Sequence, residues 1–156
     1  MLACELEILA SVLGRYLDRG LCDDAGLGVL DRDARRLERG GDAQVPEELA
    51  AEYFEVGPNA RNLATVGRVK PAHRKTFAGA ILGEDIVRVH TVSEAENPLY
   101  HRLLLEAGKA TGLPVLYNTS FNLFGAPLVS DPRDAVRSFY SSGIDALFVG
   151  NFVVEK

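Results

Sequence analysis

Four small hydrogen-bonding side chains follow an apolar, strand-like run in the second half of the chain. Residues 114–117 are apolar, and Asn118, Thr119, Ser120 and Asn122 come directly after them. A strand that ends in such a loop brings backbone N–H groups and hydroxyls together, and such nests bind phosphate or carboxylate. In open α/β sheets, ligands lie at the carboxyl ends of strands. We therefore expect an anion or nucleotide site here, although an Asn/Ser turn that only caps its own backbone is the alternative.

Basic side chains elsewhere in the chain are the second group of candidate site residues. Residues 86–92 alternate and are β-branched, which predicts a strand. Arg88 and His90 share one face of that strand because side chains repeat every two residues. The densest basic cluster, residues 70–75, contains Lys70 and Arg74. Such a cluster is usually a solvated loop, but beside the Arg88 strand it could complete a funnel that attracts anions.

The elements that would position these residues alternate between helix and strand. Asn97 followed by proline predicts a helix start, and Gly112 predicts its end. Asp131 followed by proline predicts a second helix, which we extend to Ser142. Strands are predicted over 114–117, 145–149 and 152–154. Helices between strands indicate a mixed α/β domain.

The first half of the chain gives weaker signals. Residues 2–17 carry leucines at helical spacing, and this amphipathic helix could face its own core or another chain. Residues 22–41 are rich in glycine and charge and predict a loop or a short helix. Pro46 opens a predicted helix over 47–55. Residues 62–69 predict a strand.

Composition sets the class of the protein. The chain has 156 residues, 47% of them apolar and 25% charged, which suits one compact domain with a buried core. A net charge of −5 argues against general nucleic-acid binding, and no apolar run approaches the length of a membrane span. Cys4 and Cys22 match no metal spacing, nor do the three histidines, so we expect no metal in this chain and a cytoplasmic location.

Residues 113–151 resemble the C-terminal domain of the O-carbamoyltransferases of the nodulation and cephamycin type. The resemblance rests on the Asn-Thr-Ser-Phe-Asn run at 118–122 with both flanks, on the proline-initiated helix at 131, and on Ile-Asp-Ala-Leu-Phe-Val-Gly at 144–150. It extends upstream through 86–92 and covers 46–156, whereas 1–45 match weakly and could contact a partner. The resemblance implies a YrdC-like α/β fold, a twisted mixed sheet with flanking helices in a single domain.

The resemblance also implies a reaction. In that family this domain makes a carbamoyl-adenylate from a nucleotide and a carbamoyl donor. A separate actin-like, metal-binding domain then passes the carbamoyl group to the acceptor. By resemblance, Ser120 and Asn122 would contact the phosphates or ribose of an adenine nucleotide, either ATP or a related adenylate donor. Arg88 would pair with a phosphate, for which its fork of donors is suited.

Two family features are missing, and they narrow the expected function. The glycine-rich and the Lys/Arg-rich segments that normally hold the triphosphate and the carbamoyl donor have no intact counterpart in residues 25–47. We also expect the actin-like domain to lie on a separate chain. We therefore expect a nucleotide-binding small subunit that is not active alone. It would pair with a larger actin-like subunit, which holds the small-molecule acceptor, in bacterial antibiotic biosynthesis; no catalytic residue is assigned.

Three other functions stay open at this point. The same complex could transfer another group from an adenylate-type donor, such as a sulfo group from phosphoadenosine phosphosulfate in aziridine formation. The chain could instead be a non-catalytic partner that only stabilises a larger subunit. It could also be a self-sufficient carbamoyl-adenylate synthase, which the missing donor-site segments disfavour.

Overall fold

A computed structural model describes residues 29–31, 42–62, 65–118, 121–123, 125–149 and 152–156. The predicted helix over 2–17 and the site residues Thr119 and Ser120 lie outside these ranges. The strands are β1 (Val29–Asp31), β2 (Asp42–Pro46), β3 (Phe54–Glu55), β4 (Val66–Val69), β5 (Ile86–Val92), β6 (Leu116–Asn118), β7 (Ile144–Val149) and β8 (Phe152–Glu155). The α-helices are α1 (Ala50–Tyr53), α2 (Pro98–Thr111) and α3 (Pro132–Tyr140).

These strands form two sheets. The larger sheet has the order β3-β4-β5-β2-β6, and the smaller has the order β1-β7-β8. β2 is parallel to β5 and antiparallel to β6, so the larger sheet is mixed. All pairs in the smaller sheet are antiparallel. The predicted fold class, a mixed α/β domain with a mixed sheet and flanking helices, is confirmed.

One face of the larger sheet is buried and mostly apolar, with Thr91 as a polar residue on it. Val87 and Val89 of β5 and Ala43 and Val45 of β2 point to this face and are fully buried. Residues of α1 and the segment that follows β4 cover it, including the aromatic rings of Tyr53 and Phe77. This layer fixes the strands, so the side chains at alternate positions must point to the opposite face.

The opposite face is apolar only at one end. Helix α2 packs there against Val92 of β5 and Leu116 of β6 through residues including Leu104. The smaller sheet joins the same cluster through Ala146, while its other face packs on α3 through Leu147. The other end of this face carries the polar side chains of β2, β5 and β6.

The two longer helices begin where the sequence predicts. The Asn97 side chain accepts a hydrogen bond from the Tyr100 backbone N–H at 3.2 Å, and Gly112 ends α2 with φ of 79°. The Asp131 side chain accepts one from the Asp134 N–H at 2.8 Å. Helix α3 ends at Tyr140 rather than at the predicted residue 142.

The helix predicted over 47–55 is confirmed only to residue 53, and its first turn is a 3₁₀ helix. A 3₁₀ turn (Glu47–Leu49) leads into the single turn of α1, and the chain then extends into β3. Phe54 pairs with Val69 of β4, and its ring packs 4.7 Å from that of Phe77, so burial of this aromatic ring favours the extended form. The strand predicted over 62–69 is shorter, because Ala60–Asn62 forms a 3₁₀ turn and β4 begins at Val66.

Gly108 is the position where α2 approaches Pro114 most closely. A Cβ at Gly108 would lie 2.7 Å from the Pro114 Cβ and 3.1 Å from its Cα. Helix propensity alone would make Gly108→Ala stabilising by about 1 kcal/mol, but overpacking costs about 1–3 kcal/mol. We expect a net loss of about 1 kcal/mol in the free energy of unfolding, measured by urea denaturation. Gly143→Ala, with nothing within 4 Å of its Cβ, is the control, and a stabilised Gly108→Ala would contradict the close packing.

Candidate functional site

A row of polar side chains crosses three neighbouring strands at the polar end of this face of the larger sheet. Asn118 of β6 pairs directly with Asp42 of β2. The parallel register that joins Ala43 to Val89 places Asp42 level with Arg88 of β5. Residues opposite one another on adjacent strands point to the same face. We call Arg88, Asp42 and Asn118 the polar row.

Strand alternation produces this row. In β5 the valines flanking Arg88 are buried on the apolar face, so Arg88 turns to the other face. In β2 Asp42 likewise alternates with the buried Ala43. Asn118 is the last residue of β6, where the strand runs into the loop that the sequence singled out. The row therefore lies at the predicted end of the strand.

The charges within the row are paired. Arg88 Nε lies 2.7 Å from Asp42 Oδ1; the Arg88 side chain is 49% exposed and that of Asp42 16%. The contact is an ion pair rather than an aligned hydrogen bond, because Asp42 Oδ1 is buried without a hydrogen-bond donor in correct geometry. Among the described residues, the two Nη groups of Arg88 have no ion-pair partner. They remain available to a ligand.

A second polar pair lies one step further along the strands. Gln44 of β2 is directly level with His90 of β5, and Gln44 is only 5% exposed. His90 Nδ1 is buried and makes no hydrogen bond within the described part of the chain. Leu116 of β6 lies level with this pair, and the face continues beyond it to Val92, where α2 covers it. The polar groups thus occupy one end of the face, with the buried Gln44 and the half-buried His90 behind the row.

The structure brings together only some of the residues predicted for the site. Arg88 and Asn118 lie on either side of Asp42. Asn122 uses its side-chain N–H group locally, donating to the Leu123 and Ala126 carbonyls at 3.3 and 3.2 Å. These bonds hold the 121–126 turn, as the turn-capping alternative proposes for this residue. Thr119 and Ser120 lie outside the described residues.

The basic cluster is tied to other parts of the fold. Lys70 donates its ammonium N–H to the Ala51 carbonyl, and its backbone N–H bonds to the Tyr53 carbonyl. Arg74 forms an ion pair with Asp85, immediately before β5. Both side chains hold their segment against α1 and the start of β5. Their contribution to an anion site stays a prediction that competes with these contacts.

Asp42 and Gln44 are the site residues that sequence reasoning missed. They follow a glycine- and charge-rich region, and β2 itself was not predicted. The signal that could have revealed them is the short alternation from Asp42 to Val45, in which polar and apolar residues take turns. Because β2 lies between β5 and β6, it contributes the central residue of the row.

The described residues also limit two other kinds of site. Among them no group of three or more His, Cys, Asp or Glu side chains could hold a metal ion. None of the helices in the described ranges is both long and apolar enough to cross a membrane.

Known proteins resemble this chain over most of its described part. The family described as Carbamoyltransferase C-terminus matches residues 41–156. Nodulation protein NolO of Bradyrhizobium diazoefficiens is 35% identical over 113 residues, covering 70% of this chain and 21% of that protein. Nodulation protein NolNO of Sinorhizobium fredii is 34% identical over 115 residues, covering 72% of this chain and 17% of that protein.

One relative carries an enzymatic name. The 3'-hydroxymethylcephem-O-carbamoyltransferase of Amycolatopsis lactamdurans is 39% identical over 64 residues, which cover 41% of this chain and 12% of that protein. The matches to the two nodulation proteins span no more than 21% of either relative. The family match includes Asp42, Arg88 and Asn118, the three residues of the polar row. The chain belongs to the carbamoyltransferase C-terminus family.

Proposed function

We propose that this chain is the nucleotide-binding part of a carbamoyltransferase-type group-transfer enzyme and that the polar row is its binding surface. The observation that carries the proposal is the register of three strands, which sets Arg88 and Asn118 on either side of Asp42 at the end of β6. Membership of the carbamoyltransferase C-terminus family supports the reaction class. The proposed role is binding and orientation of a donor, with no catalytic residue assigned.

The geometry suits a binding role for physical reasons. The row stands on strands whose other face is fully buried, so its spacing is held by the core rather than by loops. The Nη groups of Arg88, which have no ion-pair partner in the described part of the chain, donate hydrogen bonds, and the Asn118 amide both donates and accepts. A nucleotide offers complementary acceptors and donors on its base, ribose and phosphates. An adenine nucleotide, either ATP or a related adenylate donor, is therefore the proposed ligand.

The proposal includes a partner. The chain corresponds to about a fifth of its nodulation relatives, and we place the acceptor site on a larger actin-like chain or domain. The complex would act in the cytoplasm, in bacterial antibiotic biosynthesis, and would transfer a carbamoyl group. Sulfo transfer from phosphoadenosine phosphosulfate is the variant in which the same surface holds a different adenylate-type donor.

A non-catalytic stabilising subunit is the second candidate. It is favoured by the internal partners of three predicted site residues: Arg88 pairs with Asp42, Arg74 with Asp85, and Lys70 with the Ala51 carbonyl. A chain that only stabilised a larger subunit would keep these contacts and bind no nucleotide. The two candidates therefore differ in one measurable property.

Calorimetric titration tests the proposal. We expect ATP or phosphoadenosine phosphosulfate to bind the chain in the presence of its actin-like partner, and Arg88→Ala to weaken binding by about tenfold, the loss of a charge-assisted contact. Arg61→Ala is the matched control, since Arg61 is also an exposed arginine in ion pairs, with Glu47 and Glu96. No heat with either nucleotide, even with the partner present, would refute nucleotide binding and leave the stabilising subunit.

A further inference from the structure

Asp42 places a negative charge in the polar row, and a negative charge disfavours the binding of phosphate. Its carboxylate is mostly buried and lies against the only cation of the row, with 2.7 Å between Arg88 Nε and Asp42 Oδ1. The positive charge of Arg88 is thereby balanced inside the protein. The other basic side chains that the sequence singled out also have partners, Arg74 in Asp85 and Lys70 in the Ala51 carbonyl.

A polyphosphate would meet a like charge at this surface. A phosphate bound by the Nη groups of Arg88 would sit close to the Asp42 carboxylate, because both groups belong to one guanidinium–carboxylate pair. Juxtaposed like charges suppress binding of the wrong partner. A ligand group with hydrogen-bond donors and no charge meets no such repulsion, because it can donate to the carboxylate and accept from the guanidinium.

The neighbours of the row also fit an uncharged ligand. Val66 of β4 lies directly opposite Arg88 and is 49% exposed, so the row ends in an accessible apolar side chain. A guanidinium plane stacks on aromatic rings, and an apolar neighbour extends that surface. Carboxylates accept hydrogen bonds from ribose hydroxyls in dinucleotide folds, and Asp42, the first residue of β2, offers such a carboxylate. The arrangement of apolar, cationic, acidic and amide groups thus suits a base and its sugar.

We propose that Asp42 is a specificity-determining residue: it makes the polar row electrically neutral, so the row binds the nucleoside portion of the ligand and excludes phosphate groups. The carboxylate of Asp42 accepts hydrogen bonds from a ribose hydroxyl or an amino group, and the Nη groups of Arg88 donate to acceptors of the same nucleoside. The phosphates of a bound nucleotide point away from the row. This inference rests on the proposed nucleotide function and assigns its geometry.

Pyrophosphate, adenosine and ATP are the probes that separate charge from nucleoside recognition. For the wild-type chain with its partner, we expect adenosine to bind within about threefold of ATP and pyrophosphate not to bind, because the row carries no net charge. Asp42→Asn keeps the shape and removes the negative charge. We expect this variant to bind pyrophosphate and to gain at least about tenfold for ATP over adenosine.

A control substitution and a double variant test whether the change in affinity comes from the Asp42–Arg88 pair. Glu106→Gln is the control, since Glu106 forms an ion pair of similar length, 2.8 Å, with Lys109 on α2, and it should leave all three affinities unchanged. Adding Arg88→Gln to Asp42→Asn should abolish the gained pyrophosphate binding, because Arg88 would be its ligand. Circular dichroism checks folding, and Asp42→Ser replaces Asp42→Asn if the latter does not fold.

The outcomes separate this inference from the function on which it rests. Two results with the wild-type chain would overturn the inference while leaving nucleotide binding intact. The first is binding of pyrophosphate, and the second is an affinity for ATP more than about tenfold higher than that for adenosine. An unchanged preference in Asp42→Asn would overturn it as well. If neither adenosine nor ATP binds the wild type, the proposed function fails. The pyrophosphate titration of Asp42→Asn then still decides whether Asp42 blocks an anion site at Arg88.

Discussion

Replacing Phe77 by alanine is expected to lower the free energy of unfolding by about 3–5 kcal/mol. Phe77 is fully buried, and its ring lies 4.7 Å from that of Phe54 and 6.0 Å from that of Tyr53. It belongs to the layer that covers the apolar face of the larger sheet. Truncation would remove its contacts and leave a cavity in this layer. Since whole domains are stable by only about 5–15 kcal/mol, the variant should be close to unfolding.

Equilibrium urea denaturation, followed by circular dichroism, measures this effect. Phe77→Leu keeps most of the volume and should cost less than about 1.5 kcal/mol. Phe152→Ala is the matched control: Phe152 is 73% exposed, so its removal should change stability by no more than about 0.5 kcal/mol. A loss below about 1 kcal/mol for Phe77→Ala would mean that the segment after β4 does not form part of the core.

Phe77→Ala also concerns the candidate site, because the packing on one face of β5 positions the side chains on its other face. The valines on either side of Arg88 pack in the layer that contains Phe77, while Arg88 points the other way. A side chain on one face of a strand can be held in place only if the opposite face is well packed. We therefore infer that the buried layer around Phe77 holds the polar row in position, although it contributes no atom to the row.

Local signals explain why some elements could be predicted from the sequence. The start of α2 at Asn97 and of α3 at Asp131 depends on a side chain that bonds a backbone N–H three residues later. The alternation in residues 86–92 depends on the two-residue period of a strand, and β5 has the predicted bounds. Each signal lies within a few residues of the structure that it produces. Such features can therefore be read without knowing the rest of the fold.

The remaining features depend on contacts between distant residues. β2 is an interior strand of five residues that ends in Pro46, and its alternation covers only four residues, too few to distinguish it from the charge-rich segment before it. The end of the predicted 47–55 helix at Tyr53 and the extended form of β3 depend on the pairing of Phe54 with Val69. Residue type at a strand end indicated Asn118 as a candidate, and the alternation of the 86–92 strand with the family resemblance indicated Arg88. The residue between them, Asp42, emerges only from the register of three strands.

Gly67→Val is expected to destabilise the protein by about 2–3 kcal/mol through steric overlap in the larger sheet. A Cβ at Gly67 would lie 2.8 Å from Val89 Cγ2, 3.2 Å from Val56 Cγ1 and 3.3 Å from the Glu55 carbonyl oxygen. Two of these neighbours are side chains with little room to move, and the third is backbone. Valine has a high strand propensity, so propensity alone would predict the opposite sign.

The expected displacement has a functional consequence that stability alone would not show. Gly67 pairs with Val87, the residue before Arg88, and the next pair in the register joins Val66 to Arg88. Pushing β4 away from β5 would therefore shift the residues that flank the polar row. Urea denaturation and calorimetric titration with ATP on the same variant test both effects, and Gly79→Ala is the control because nothing lies within 4 Å of its Cβ. A Gly67→Val variant with wild-type stability would contradict the close approach of the two strands. A destabilised variant with unchanged affinity for ATP would show that ligand binding does not depend on the Val66 side of the polar row.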